Sequence, residues 1–101
     1  MNFLCIDVGT TCSKAQVFDQ NGNILFYESL ECPLKTVDGQ SYADIFLITD
    51  TVNKLIKKAA EKYKISSLAF SSFGESFVSV DAQGKPLSDI LMYFGNAESE
   101  D

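Results

Sequence analysis

The sequence has no histidine and no arginine, and only two prolines. Its three cysteines, Cys5, Cys12 and Cys32, are scattered, with no Cys-x-x-Cys pair. No zinc site is expected from such a set. Free, unmatched thiols suit a reducing compartment, so a cytoplasmic location is expected. Basic charge is also scarce: eight lysines stand against fourteen Asp and Glu, for a net charge of −6. Nucleic acid demands a basic face, so no nucleic-acid partner is expected. No apolar run is long enough for a membrane span, and no membrane association is expected. The amino terminus lacks the basic first region of a signal peptide, and Asp7 interrupts its apolar run early. There is no linker, repeat or low-complexity tract before the acidic tail. A chain of 101 residues is enough for one domain with a modest core.

What is present is organised around Asp7-Val8-Gly9-Thr10-Thr11-Cys12-Ser13-Lys14. Apolar runs on either side, Phe3–Ile6 and Ala15–Phe18, make it the tip of a β-hairpin. Gly9 permits close approach of backbone or ligand, and Thr10, Thr11 and Ser13 supply hydroxyls and free N–H groups. Successive N–H groups in such a turn form an anion-binding concavity. Asp7 adds a carboxylate where a phosphate-bound Mg²⁺ would sit, and Lys14 a point positive charge. The plain alternative is a surface hairpin whose hydroxyls satisfy their own backbone. Residue types alone leave both readings open.

The rest of the chain reads as alternating strands and one helix. Residues 3–8, 14–19 and 23–30 form three consecutive strands, an antiparallel meander, with Asn21-Gly22 supplying positive φ angles to the second turn. Residues 31–43 read as a loop, marked by Pro33, Asp38 and Gly39. From Asp44 to Tyr63 the apolar residues Ile45, Ile48, Val52, Leu55, Ile56, Ala59, Ala60 and Tyr63 recur at helical spacing. Ser41 with Asp44, or Asp44 alone, caps that helix. The lysines at its end (57, 58, 62 and 64) read as a solvated terminus suited to the helix dipole. Residues 65–71 read as a strand buried on both faces, reached by a crossover and paired in parallel. The loop Ser72–Glu75 then lies at a strand's carboxyl end, where open α/β sheets place ligand sites. Ser76–Asp81 alternates as another strand, 82–86 is a turn, and Ile90–Phe94 is a short last strand.

The run Ile6–Asp19, followed by Asn21-Gly22, resembles the first phosphate motif of the sugar kinase, Hsp70 and actin superfamily. Within it the chain resembles the amino terminus of the FGGY carbohydrate kinases. Those share Asp-x-Gly-Thr-Thr-x-Ser-Lys/Arg and a following Phe-Asp-x-x-Gly turn. Further along, Ser72-Phe73-Gly74-Glu75 stands where the family has a sugar-contacting loop. Val78–Leu87 matches the pattern Val-x-x-Asp-x-x-Gly-x-Pro-Leu. The segment Gly84-Lys85-Pro86-Leu87 favours these kinases over an actin-like filament ATPase.

The resemblance implies an α/β, ribonuclease H-like (actin-like ATPase) mixed sheet: a three-stranded antiparallel meander, then a helix and further strands. It implies that residues 1–101 are the amino-terminal portion of the kinase's N-terminal domain, part of a longer chain. The implied activity is ATP-dependent phosphorylation of a sugar or polyol hydroxyl. ATP phosphates would lie on Gly9, Thr10, Thr11, Ser13 and Lys14, with Asp7 holding Mg²⁺ through water. Gly74, Glu75 and Tyr93 would contact a small-molecule sugar or polyol. The catalytic base is expected downstream, outside these residues. Where the family has an Asp and an Arg after the last strand, this chain has Gly95 and Ala97. That departure and the short length keep a non-catalytic remnant or pseudokinase domain as the alternative. A piece of this kind also exposes an apolar edge, which invites self-association.

Overall fold

A computed structural model of the chain describes residues 1–72, 74 and 78–92. The first three strands are β1 (Asn2–Val8), β2 (Cys12–Asp19) and β3 (Ile24–Glu31), and they form the expected meander. On one face of this sheet Leu4, Ile6, Ala15, Val17 and Phe26 are buried. They alternate with more exposed residues, as the two-residue period of a pleated strand requires. The β2–β3 turn is built on Asp19. Its Oδ1 accepts from the N–H groups of Asn21 and Asn23, and its Oδ2 from Asn23 Nδ2 at 3.0 Å. The Asn23 side chain, with the backbone N–H groups, holds the Asp19 carboxyl below the usual carboxylate range. Of the two residues expected to take positive φ here, only Gly22 does (85°).

The loop expected over 31–43 is instead a hairpin, β4 (Lys35–Val37) with β5 (Gln40–Ala43). Asp38 (φ 52°) and Gly39 (φ 79°) form its two-residue turn. Positive φ at both central positions is what an Asp-Gly hairpin turn uses, so residues that looked like breakers are the turn that makes the strands.

The helix α1 runs over Ile45–Lys62. Asp44 caps it by itself: its Oδ1 accepts from Phe46 N at 3.0 Å and Leu47 N at 3.2 Å. Thr51, Leu55 and Ala59, one turn apart, are its buried stripe. They lie against the buried face of the sheet, with Val52, Ile56 and Tyr63 at the margin. Burying a leucine such as Leu55 contributes about 1.5–3 kcal/mol. Ala60, expected in the stripe, is exposed, and Thr51 takes a buried place. The lysine-rich end is exposed, yet two of its lysines reach β3. Lys58 pairs with Glu28 at 3.4 Å, and Lys62 lies 5.4 Å from the centre of the Phe26 ring. Tyr63 ends the helix and donates its hydroxyl to Leu25 O at 2.8 Å.

After α1 the chain enters β6 (Ser67–Ser72), which pairs in parallel with β1. The main sheet is therefore mixed, in the order β3-β2-β1-β6. The burial expected for this strand is not found. All six of its residues are exposed, Phe70 at 59% and Leu68 at 43%. It lies at the edge of the sheet, beyond the reach of α1. An apolar run looks the same in sequence whether or not a neighbour covers it.

The strand expected over Ser76–Asp81 is reduced, among the described residues, to one bridge between Val80 and Pro86 around a turn with Gly84 at φ 81°. β7 (Ile90–Leu91) joins β5, not the main sheet, giving a second sheet β4-β5-β7. Its own small core is Ala43, Ile90 and Met92, packed with Leu34, Ile45, Ile48 and Val78.

Candidate functional site

At the carboxyl end of β1 three strands set three polar side chains in a row. Asp7 is in register with Lys14 on β2 and with Ser71 on β6. Register partners share a face of the sheet, and Leu4 and Ile6 occupy the other face against α1. The row Lys14–Asp7–Ser71 thus stands on the face that α1 leaves open. One row below, Tyr27, Gln16, Cys5 and Ala69 lie side by side by the same registers. The two rows line a shallow concavity of about 570 Å³.

Within the upper row, Ser71 Oγ donates to Asp7 Oδ1 at 2.9 Å. Lys14 makes no ion pair with Asp7. The ion pairs among the described residues are Lys35–Asp89, Lys54–Asp50 and Lys58–Glu28. Among the described residues, the ammonium of Lys14 and one oxygen of Asp7 are therefore left without a partner.

The hairpin tip lies next to this row in the chain. Gly9 N donates to Cys12 O at 2.9 Å, and Thr11 O accepts from Cys32 N at 2.7 Å, which ties the tip to the end of β3. A Cβ at Gly9 would lie 2.8 Å from Cys12 O, closer than real side chains approach a carbonyl, so glycine is required there. The backbone N–H groups of Thr10 and Thr11 donate to no backbone acceptor among the described residues. These are two adjacent donors at one turn, the arrangement that receives phosphate oxygens.

Ser13 is placed differently from the other residues of the motif. It is 1% exposed, on the α1 side of β2, and its hydroxyl has no partner among the described residues. Alternation along β2 puts it on the opposite face from Lys14, so the two side chains do not converge. Gly74 is exposed and its surroundings are open. Glu75, Tyr93, Gly95 and Ala97 lie outside the described residues. Ser71 was not among the expected site residues. The signal for it was the parallel of Leu68-Ala69-Phe70-Ser71 with Leu4-Cys5-Ile6-Asp7. In both strands apolar, small, apolar and polar residues follow one another, and parallel pairing in register brings the two polar ends together.

The model for the FGGY family of carbohydrate kinases, N-terminal domain, matches residues 2–97. The chain belongs to that family. The gluconokinase of Bacillus subtilis (strain 168) is 36% identical over 98 residues, covering 92% of this chain and 19% of that protein. The solved gluconate kinase from Lactobacillus acidophilus is 30% identical, with a TM-score of 0.86 over 94% of this chain and 20% of that one. The glycerol kinase of Plasmodium falciparum, solved with ADP, is 25% identical, with a TM-score of 0.78 over 89% of this chain and 20% of that one. The FGGY chain described here thus spans about a fifth of the length of these relatives. Its mixed sheet and helix have the actin-like ATPase fold of these sugar kinases. No described helix is long and apolar enough to cross a membrane.

The donor set at the hairpin fits a phosphate with its magnesium ion. Mg²⁺ keeps several waters and takes one or two carboxylates together with phosphate oxygens. One carboxylate, Asp7, with a Lys14 ammonium and two adjacent N–H groups that have no partner among the described residues, is a set of that kind.

Proposed function

We propose that this chain is the first part of the N-terminal domain of an ATP-dependent kinase that phosphorylates a sugar or polyol hydroxyl. The observation that carries the reading is the row of Asp7 and Lys14, unpaired with each other, beside a turn with two adjacent backbone N–H groups that lack backbone acceptors. In this reading the N–H groups of Thr10 and Thr11 hold phosphate oxygens of ATP. Gly9 keeps the turn tight enough to present them. Lys14 neutralises charge that grows on the phosphoryl group in transfer. Asp7 orients magnesium-bound water. Ser13 acts from beneath, as a small residue that packs under the tip. Magnesium, held through water by Asp7, would supply positive charge against that of the phosphates.

The transferred group passes from ATP to the acceptor oxygen. The oxygen–phosphorus bond to the acceptor forms, the bond to the β-phosphate oxygen breaks, and ADP leaves. The acceptor's proton goes to a base that these residues do not supply. Phosphoryl transfer asks the protein mainly for positioning and electrostatic stabilisation, and a hairpin whose tip is tied to the end of β3 provides a platform for both. Gly74, Glu75 and Tyr93 are proposed for the acceptor side: a carboxylate accepts from two hydroxyls at once, which suits a polyol. Gluconate is the first acceptor to try, since two of the relatives above are named for it. A cytoplasmic location is part of the same proposal.

The test is a coupled assay of ADP release by the native-length protein with MgATP and gluconate, xylulose or glycerol. Turnover with one of them is expected. Asp7→Asn is expected to lower kcat by about a hundredfold or more with the melting temperature retained. A protein that neither turns over any acceptor nor binds nucleotide would replace this reading with a non-catalytic domain.

A further inference from the structure

Lys14 and Asp7 carry opposite charges directly across an antiparallel pair, at Cβ separations of about 4.5–5.5 Å. Such a pair would ordinarily close on itself. It does not, and the Asp7 carboxylate is engaged from the other side by the Ser71 hydroxyl at 2.9 Å. We infer that Ser71 is a positioning residue that holds the Asp7 carboxylate off Lys14, so that both charges stay available to the magnesium–nucleotide complex. The inference rests on the kinase reading above.

The chemistry favours a serine for this task. A neutral hydroxyl fixes one oxygen of the carboxylate without cancelling its charge, whereas a lysine contact would cancel it. The donor comes from a third strand, on the side of Asp7 opposite Lys14. The hydrogen bond therefore pulls the carboxylate along the row and away from the ammonium. Groups that hold a metal-orienting ligand in place are commonly worth a large part of the metal's affinity.

The experiment uses the native-length protein with Mn²⁺·ADP as the probe, read by electron paramagnetic resonance of bound Mn²⁺. Ser71→Thr and Ser71→Val have nearly the same shape and differ in the hydroxyl; both suit an edge strand. Ser71→Val is expected to weaken binding about tenfold, and Ser71→Thr to retain it. With Lys14→Ala as background, Ser71→Val is expected to cost much less, because the competitor for Asp7 is gone. A crystal structure of the Ser71→Val variant is expected to show Asp7 and Lys14 in ion-pair contact. The inference is overturned if Val and Thr variants bind alike, or if the loss is the same with and without Lys14. If the unaltered protein does not bind Mn²⁺·ADP, the kinase reading fails and this inference with it. If it binds and Ser71→Val binds equally well, this inference alone fails.

Discussion

At the scale of single residues, Gly9 is constrained most severely. The atom that alanine would add meets a backbone carbonyl, which cannot swing aside as a side chain would. Gly9→Ala is expected to destabilise the chain by about 1–3 kcal/mol, the usual range for overpacking, read as a lower urea midpoint with unchanged slope. Asp19 is the opposite case, an exposed group with a firm network. Its carboxyl titrates below its ordinary value, first because of the Asn23 side chain. The folded form therefore binds its proton less readily than the unfolded form. The contribution is present above the unfolded value and is lost as pH falls through the folded one. Asn23→Ala is expected to move the Asp19 titration back up, measured by carboxyl carbon shifts in NMR.

The same scale shows which parts of the site could be read in advance. Asp7, Gly9, Thr10, Thr11 and Lys14 belong to one short motif, and the apolar runs on either side put them at or beside a hairpin tip. Which way Ser13 points depended on the strand's phase, fixed by Ala15 and Val17 packing under α1. The partnership of Ser71 with Asp7 spans 64 positions in sequence. It follows from a register that no local pattern records.

At the scale of elements, α1 was legible because its cap, its stripe and its basic end all agree. Cap and stripe contribute unequally. Asp44→Ala removes two capping bonds at a partly exposed end and is expected to cost about 1 kcal/mol. Leu55→Ala opens a cavity at a fully buried position and is expected to cost about 2–5 kcal/mol. Thermal and urea unfolding of the two variants, measured side by side, check the ranking. The β4–β5 hairpin was less legible because both strands are short and neither alternates: β4 is exposed throughout, and β5 is half-buried up to the buried Ala43. Only Asp38-Gly39 announces the turn. β6 was recognised as a strand, since residue type sets strand preference. Its surroundings could not be read, because they depend on what lies beside it.

At the scale of the whole molecule, α1 covers one face of the main sheet and the second sheet has a separate, smaller core. Protection against amide exchange should follow that division. The slowest amides are expected in β1, β2 and the Thr51–Ala59 stretch of α1. β6 and the β4-β5-β7 sheet are expected to exchange faster by native-state hydrogen exchange, because little apolar surface seals them. Uniform protection across both sheets would contradict the two-core description.

The long span between Asp7 and Ser71 also has a consequence in time. The β1–β2 hairpin closes over a few residues, whereas β6 lies beyond a long intervening stretch of chain and is expected to dock after it. Loops of that length close late, when contacts nearer in sequence have already formed. During refolding, the carboxylate and the ammonium are expected to face each other before the serine arrives. Nucleotide affinity should then lag behind the recovery of helical signal, and its appearance dates the moment at which the last strand takes its place.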